Sequence, residues 1–143
     1  MKVLKFGGTS VANPENIRKI KNIITSYKER IVIVVSALGG VTDNLLEASK
    51  LAVAQDYEYK SILKNLEERH FDAIKNLIPV TAQSKALSTV KKELNTLETL
   101  LEGSFAIGET TQRLSDKIVS YGELLSSFII SDYFISCGID CEY

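Results

Sequence analysis

Residues able to do chemistry sit at three places in the chain. Lys5-Phe6-Gly7-Gly8-Thr9-Ser10-Val11 places a cation, two glycines and two hydroxyls in a row close to the first residue. Ser36-Ala37-Leu38-Gly39-Gly40-Val41-Thr42 repeats a glycine pair between hydroxyl side chains, and Ser120-Tyr121-Gly122-Glu123 sets a carboxylate beside a glycine. A glycine pair between a strand and a helix start leaves consecutive backbone N–H groups free to form a concave nest for an anion, and the helix end adds partial positive charge. Lys5, just ahead of Gly7 and Gly8, can bring its ammonium over the same spot, with Thr9 and Ser10 behind it. The chemistry this suits is the holding of phosphate.

The order of parts separates this stretch from commoner phosphate loops. In a Walker A loop the lysine follows the glycines, and a Rossmann turn reads G-x-G-x-x-G; neither pattern occurs here. The second turn admits two readings. Strand, turn and capped helix account for Gly40 and Thr42 without any ligand. Alternatively Ser36, Thr42 and the Gly39-Gly40 nest contact phosphate or a substrate carboxylate. Glu123 is open in the same way: on an apolar helix a carboxylate is expected to be paired with a neighbouring lysine, bound to a ligand or set on a polar cavity, because an isolated buried charge is too costly. His70, the single histidine, lies on an apolar stripe and reads as a core or surface residue rather than a catalytic one.

Bulk properties narrow the class. At 143 residues the chain fits one domain with a real core. A formal net charge of −1 gives no basic field for nucleic acid. No apolar run is read as reaching the roughly 18 residues of a membrane span, and Met1–Lys5 is too short for a signal peptide. Cys137 and Cys141 form neither a redox pair nor a metal knuckle, so reduced thiols in a soluble, intracellular, mixed α/β protein are expected, with no metal site.

The elements that must position these residues follow from periodicity. Val3-Leu4 with Lys5-Phe6 reads as a first strand. Asn13-Pro14 caps a helix to about Lys28 with Ile17, Ile20, Ile23, Ile24 and Tyr27 on one face. Ile31–Val35, apolar throughout, suits a central parallel strand covered on both faces. Together they predict a right-handed βαβ unit with both glycine turns at the carboxyl edge, where open α/β sheets bind ligands. Thr42 or Asp43 is expected to cap a helix carrying Leu45 and Ala48. Longer helices are expected over 56–78, ended by Pro79, and over 84–101, stopped by Gly103, forming an antiparallel hairpin. Ser115 is expected to cap a last, buried helix. Its mid-helix Gly122 implies a close approach by another element. A third strand is expected from Ile139 to Tyr143.

Three motifs carry a resemblance. Lys-Phe-Gly-Gly-Thr-Ser-Val (5–11), Ser-Ala-x-x-x-Val-Thr (36–42) and Ser-x-Gly-Glu (120–123) resemble the aspartate kinases of the amino-acid kinase fold, most of all the bifunctional aspartokinase–homoserine dehydrogenases. The resemblance implies a three-layer αβα parallel-sheet fold. Residues 1–143 would be the amino-terminal, substrate-side part of the catalytic domain, with a helical excursion over about 41–136. It further implies phosphorylation of the side-chain carboxylate of L-aspartate by ATP with Mg2+, in a cytoplasmic homo-oligomeric parent enzyme without nucleic-acid or membrane partners. Lys5 would stabilise the transferring phosphoryl group. Gly7, Gly8, Thr9, Ser10, Gly39 and Gly40 would line the phosphates, Ser36 and Thr42 the aspartate and phosphate site, and Glu123 would bind the substrate amino group. Alternatives are another amino-acid kinase, acting on glutamate or a nucleotide, and a non-catalytic helical interaction module.

Overall fold

The computed structural model describes all 143 residues. Strand β1 (Lys2–Phe6) runs parallel to β2 (Ile31–Val35), with Lys5 opposite Val34 and Phe6 opposite Val35, and helix α1 (Pro14–Ile24) crosses between them. Four helices follow: α2 (Val41–Val53), α3 (Tyr59–Leu77), α4 (Val80–Ile107) and α5 (Gln112–Ser136). Asn13 caps α1 as the sequence predicts, its side chain accepting the Asn16 N–H at 2.9 Å with Pro14 at the first turn. The helix closes at Ile24 rather than Lys28: after the Thr25 N–H bonds the Lys21 carbonyl, those of Ser26 and Tyr27 tighten onto Ile23 and Ile24, three residues back.

Helix α5 is the central post. It packs against α2, α3, α4 and β2, burying Ile118, Tyr121, Leu125, Ile129, Ile130 and Phe134. By length and composition it could cross a bilayer, contrary to the sequence reading of the apolar runs. Yet over half of its most apolar 18-residue window is buried inside the protein, as befits a core helix. Its cap is Thr111, whose hydroxyl accepts the Leu114 N–H at 3.2 Å, rather than Ser115.

Other helix ends also move. Helix α3 starts at Tyr59 after a turn held by Asp56, which accepts the Glu58 N–H. Helix α4 starts directly after Pro79 and runs through Gly103 to Gly108, whose φ of 75° makes the actual stop. Gly103 stands in open space without a left-handed φ; its cost to the helix is outweighed by the packing of Leu97 and Leu101. Gly103→Ala is therefore expected to stabilise the chain by about 0.5–1 kcal/mol, visible as a raised Tm.

The sheet differs most from expectation. Residues 139–143 form no third strand, since they make no ladder with either β1 or β2; the Tyr143 ring instead meets Phe128 edge-on at 5.7 Å. Strand β2 is not covered on both faces. Leu4, Phe6, Ile31, Ile33 and Val35 pack on the core, whereas Val32 and Val34 remain 43% exposed. Period-2 alternation puts Val3, Lys5, Val32 and Val34 together on the open face.

His70 is fully buried on α3, its Nδ1 2.6 Å from the Leu66 carbonyl and its Nε2 without a partner. The tautomer that donates from Nδ1 leaves Nε2 a bare acceptor, a cheaper orphan than an N–H. Desolvation lowers its pKa below the ordinary 6.5, reinforced by the Arg69 charge and opposed by the Leu66 hydrogen bond. The folded chain thus resists a proton that the unfolded chain accepts. Stability is full above the unfolded value and falls as pH drops below it, by up to about 1.4 kcal/mol per unit until the folded value is reached. Urea unfolding at pH 7.5 and 5.5 is expected to show a larger acid loss for the native chain than for His70→Leu.

Candidate functional site

The first corner leaves β1 at Phe6 and is closed by its own turn. The Gly7 carbonyl accepts the Ser10 and Val11 N–H groups at 2.9 and 3.2 Å, and Thr9 accepts that of Ala12. Gly8 and Thr9 donate to no protein acceptor, neither backbone nor side chain. Gly7 is exposed, meets nothing within 4 Å and has no left-handed φ. The fold of this chain therefore places no demand for glycine there. A bare backbone in open space is what a close-approaching ligand requires. Thr9 and Ser10 are exposed beside it.

The second corner leaves β2 at Val35. Here the glycines answer to the fold. A Cβ on Gly39 would stand 3.0 Å from the Ala12 Cβ, so the two corners touch. Gly40 takes a φ of 78° and turns the chain directly into α2, with the Val41 N–H on the Leu38 carbonyl. That turn replaces the side-chain cap expected from Thr42 or Asp43. As a result the N–H groups of Gly39, Gly40, Thr42 and Asp43 are unpaired within the protein, at the positive end of α2. Ser36 and Thr42 are half-buried at this corner. Asp43, exposed in the same turn, balances the helix dipole.

The corners share one rim. The Ser36 N–H extends the ladder onto the Phe6 carbonyl at 3.1 Å, and a Cβ on Gly8 would lie 3.9 Å from the Ala37 carbonyl oxygen. Helix α5 reaches the same rim through Gly122, where an added Cβ would stand 2.8 Å from that of Ala37. The close approach inferred from the mid-helix glycine is thus the second corner itself. One residue on, Glu123 accepts the Ala37 N–H at 3.4 Å. Glu123 is exposed, not buried, and forms no ion pair, because α5 meets the corner at its open margin. The expected lysine pairing is absent, and water reaches the carboxylate. Lys5, one residue before the first corner on the open sheet face, is exposed and likewise in no ion pair.

Two residues at the rim escape a reading of the sequence. Ser126 donates from its hydroxyl to the Ser36 carbonyl at 2.7 Å, tying α5 to the second corner. Its one signal is a polar residue recurring on an apolar face. Arg69, at the end of the charged run Glu67-Glu68-Arg69, donates from Nη2 to the Ala12 carbonyl at 3.1 Å. No local signal separates it from its neighbours. No group of three or more His, Cys, Asp or Glu side chains comes together anywhere in the chain, so these residues do not fit a protein-built cage for a divalent cation.

A family model described as the amino acid kinase family matches residues 1–143. The chain belongs to the amino acid kinase family. Its curated relatives are aspartokinases and bifunctional enzymes. The bifunctional aspartokinase/homoserine dehydrogenase 1, chloroplastic, of Arabidopsis thaliana is 31% identical over 142 residues, which is 99% of this chain and 16% of that protein. Aspartokinase 2, chloroplastic, of the same plant is 37% identical over 139 residues, 95% of this chain and 25% of that one. Among solved structures, E. coli aspartokinase III in complex with lysine and aspartate matches with a TM-score of 0.86 at 23% identity, over 98% of this chain and 30% of that chain. The same enzyme in complex with aspartate and ADP matches equally well. The chain has the fold of the corresponding part of an amino-acid kinase: a small parallel sheet with a helix-rich excursion. It spans 16% to 30% of the length of these proteins.

Proposed function

We propose that residues 1–143 are the amino-terminal part of an aspartate kinase catalytic domain, which transfers the γ-phosphoryl group of ATP to the side-chain carboxylate of L-aspartate. The product is 4-phospho-L-aspartate, feeding lysine, threonine and methionine synthesis. The observation that carries this reading is the meeting of two corners with unpaired N–H groups, Gly8 and Thr9 on one side and Gly39, Gly40 and Thr42 on the other, at a rim that also bears Glu123.

In the reaction, a carboxylate oxygen of aspartate attacks the γ-phosphorus while the bond to the bridging oxygen breaks and ADP leaves. The acceptor is ionised at neutral pH, with an ordinary pKa near 3.9, so no general base is needed. Catalysis rests on placement and on opposing the charge spread over the phosphoryl oxygens. Lys5 and the two nests supply that opposition, with Ser10 beside the first nest and Ser36 beside the second. Glu123 pairs its carboxylate with the substrate ammonium and so selects an amino acid over a plain dicarboxylic acid. Residues 1–143 gather no carboxylate set to hold Mg2+, so its protein ligands would lie largely in the rest of the domain, where the ion would supply charge neutralisation to the nucleotide phosphates. The parent is read as a cytoplasmic homo-oligomer; free Cys137 and Cys141 suit a reducing compartment, and several relatives are named chloroplastic.

On this reading the 143-residue chain alone has no kinase turnover, for want of the remaining nucleotide contacts. In the longer polypeptide, Glu123→Gln is expected to raise the aspartate KM by about 10-fold to 100-fold, the loss of one charge-assisted pair. A coupled ADP-release assay checks both. Robust aspartate-dependent turnover by residues 1–143, or an unchanged KM in the variant, would contradict the reading.

A further inference from the structure

We infer that Arg69 is a positioning residue that locks the two corners in register from α3, an inference that takes its purpose from the phosphotransfer reading above. The guanidinium stands where three segments meet. Its Nη2 donates to Ala12, which closes the first corner. Its Nη1 lies 3.7 Å from where a Cβ on Gly40 would be, at the left-handed turn of the second corner. Between those two points the corners already touch, Ala12 against Gly39. One planar group thus reaches the end of one nest and the pivot of the other.

The alternative of an ordinary surface arginine does not account for its partners. Arg69 is half-buried and enters no ion pair, although acids flank it. Glu67 is taken by Lys91 and Glu68 by Lys64. The guanidinium charge is thereby left for the backbone of the corners. A fixed cation behind two anion nests raises their potential as well as setting their separation. Lysine has the charge without the planar fork whose fixed spacing sets both approaches at once. Helix α3 carries none of the sequence's candidate site residues, and Arg69 is its one hydrogen bond to a corner. The excursion thereby gains a direct hold on the site.

The test compares the native chain with Arg69→Ala and Arg69→Lys by amide hydrogen exchange and by tripolyphosphate titration. In Arg69→Ala, exchange at Ser10, Val11, Ala12 and Val41 is expected to quicken about tenfold, while core amides of α4 and α5 change far less. Tripolyphosphate affinity is expected to fall at least about threefold. Arg69→Lys should recover part of the affinity while leaving the corner amides fast. Unchanged exchange at the corners, or an equal rise throughout the core, overturns the inference. If tripolyphosphate fails to bind the native chain while the corners loosen selectively in Arg69→Ala, the positioning role stands and the phosphotransfer reading falls.

Discussion

Gly122→Val is expected to destabilise the chain by about 2–3 kcal/mol, lowering the Tm by roughly 5–15 °C. Two terms of opposite sign decide this. Removing a mid-helix glycine gains up to about 1 kcal/mol in helix propensity for a good helix former, and less for β-branched valine. Against it stands a Cβ placed 2.8 Å from the Ala37 Cβ, 3.4 Å from Leu45 and 3.5 Å from Val41. Ala37 has no rotamer to escape into, and it is buried at 3% exposure between strand and helix. Either α5 moves outward or the second corner moves, and the methyls of valine demand more than the Cβ alone. Gly122→Ala should fall between, its propensity gain offsetting much of the clash. Thermal and urea unfolding rank the three chains; a valine variant as stable as the native one would mean that the corner is softer than its packing implies.

Lys5→Met is expected to weaken tripolyphosphate binding by about 10-fold to 100-fold while leaving stability within about 0.5 kcal/mol. The split follows from where the residue sits. Its ammonium is exposed and in no ion pair, so nothing in the fold depends on it. Methionine keeps a similar unbranched stem on the strand face. All of the loss should therefore appear in binding. Titration calorimetry beside a thermal melt reads both quantities. Equal affinity in the two chains would remove Lys5 from the site, and a large fall in Tm would give it a structural role instead.

The βαβ unit was legible because its signals are local. Asn13-Pro14 fixes a helix start by backbone chemistry, and five β-branched residues in a row have few alternatives to a strand. Gly122 was legible too, as a cost that some neighbour must explain. Helix ends in the excursion were less so. Gly103 resembles a stop, but a cost near 1 kcal/mol yields to the packing of a 28-residue helix. The exposure of Val32, Val34 and Glu123 depends on what covers them, and periodicity tells only which side is apolar. Arg69 was hidden for a related reason: its partner lies 57 residues away in the chain, and a charged run looks the same whether it faces water or a carbonyl.

The central claim is that two glycine corners form a single anion site. Titrating the 15N-labelled chain with tripolyphosphate and following backbone amides tests it most directly. Gly8, Thr9, Gly39 and Gly40 are expected to shift together along one saturating curve, because one ligand would satisfy their unpaired N–H groups at once. Shifts confined to one corner, or scattered over the lysines of α4 with the four amides unmoved, would contradict it.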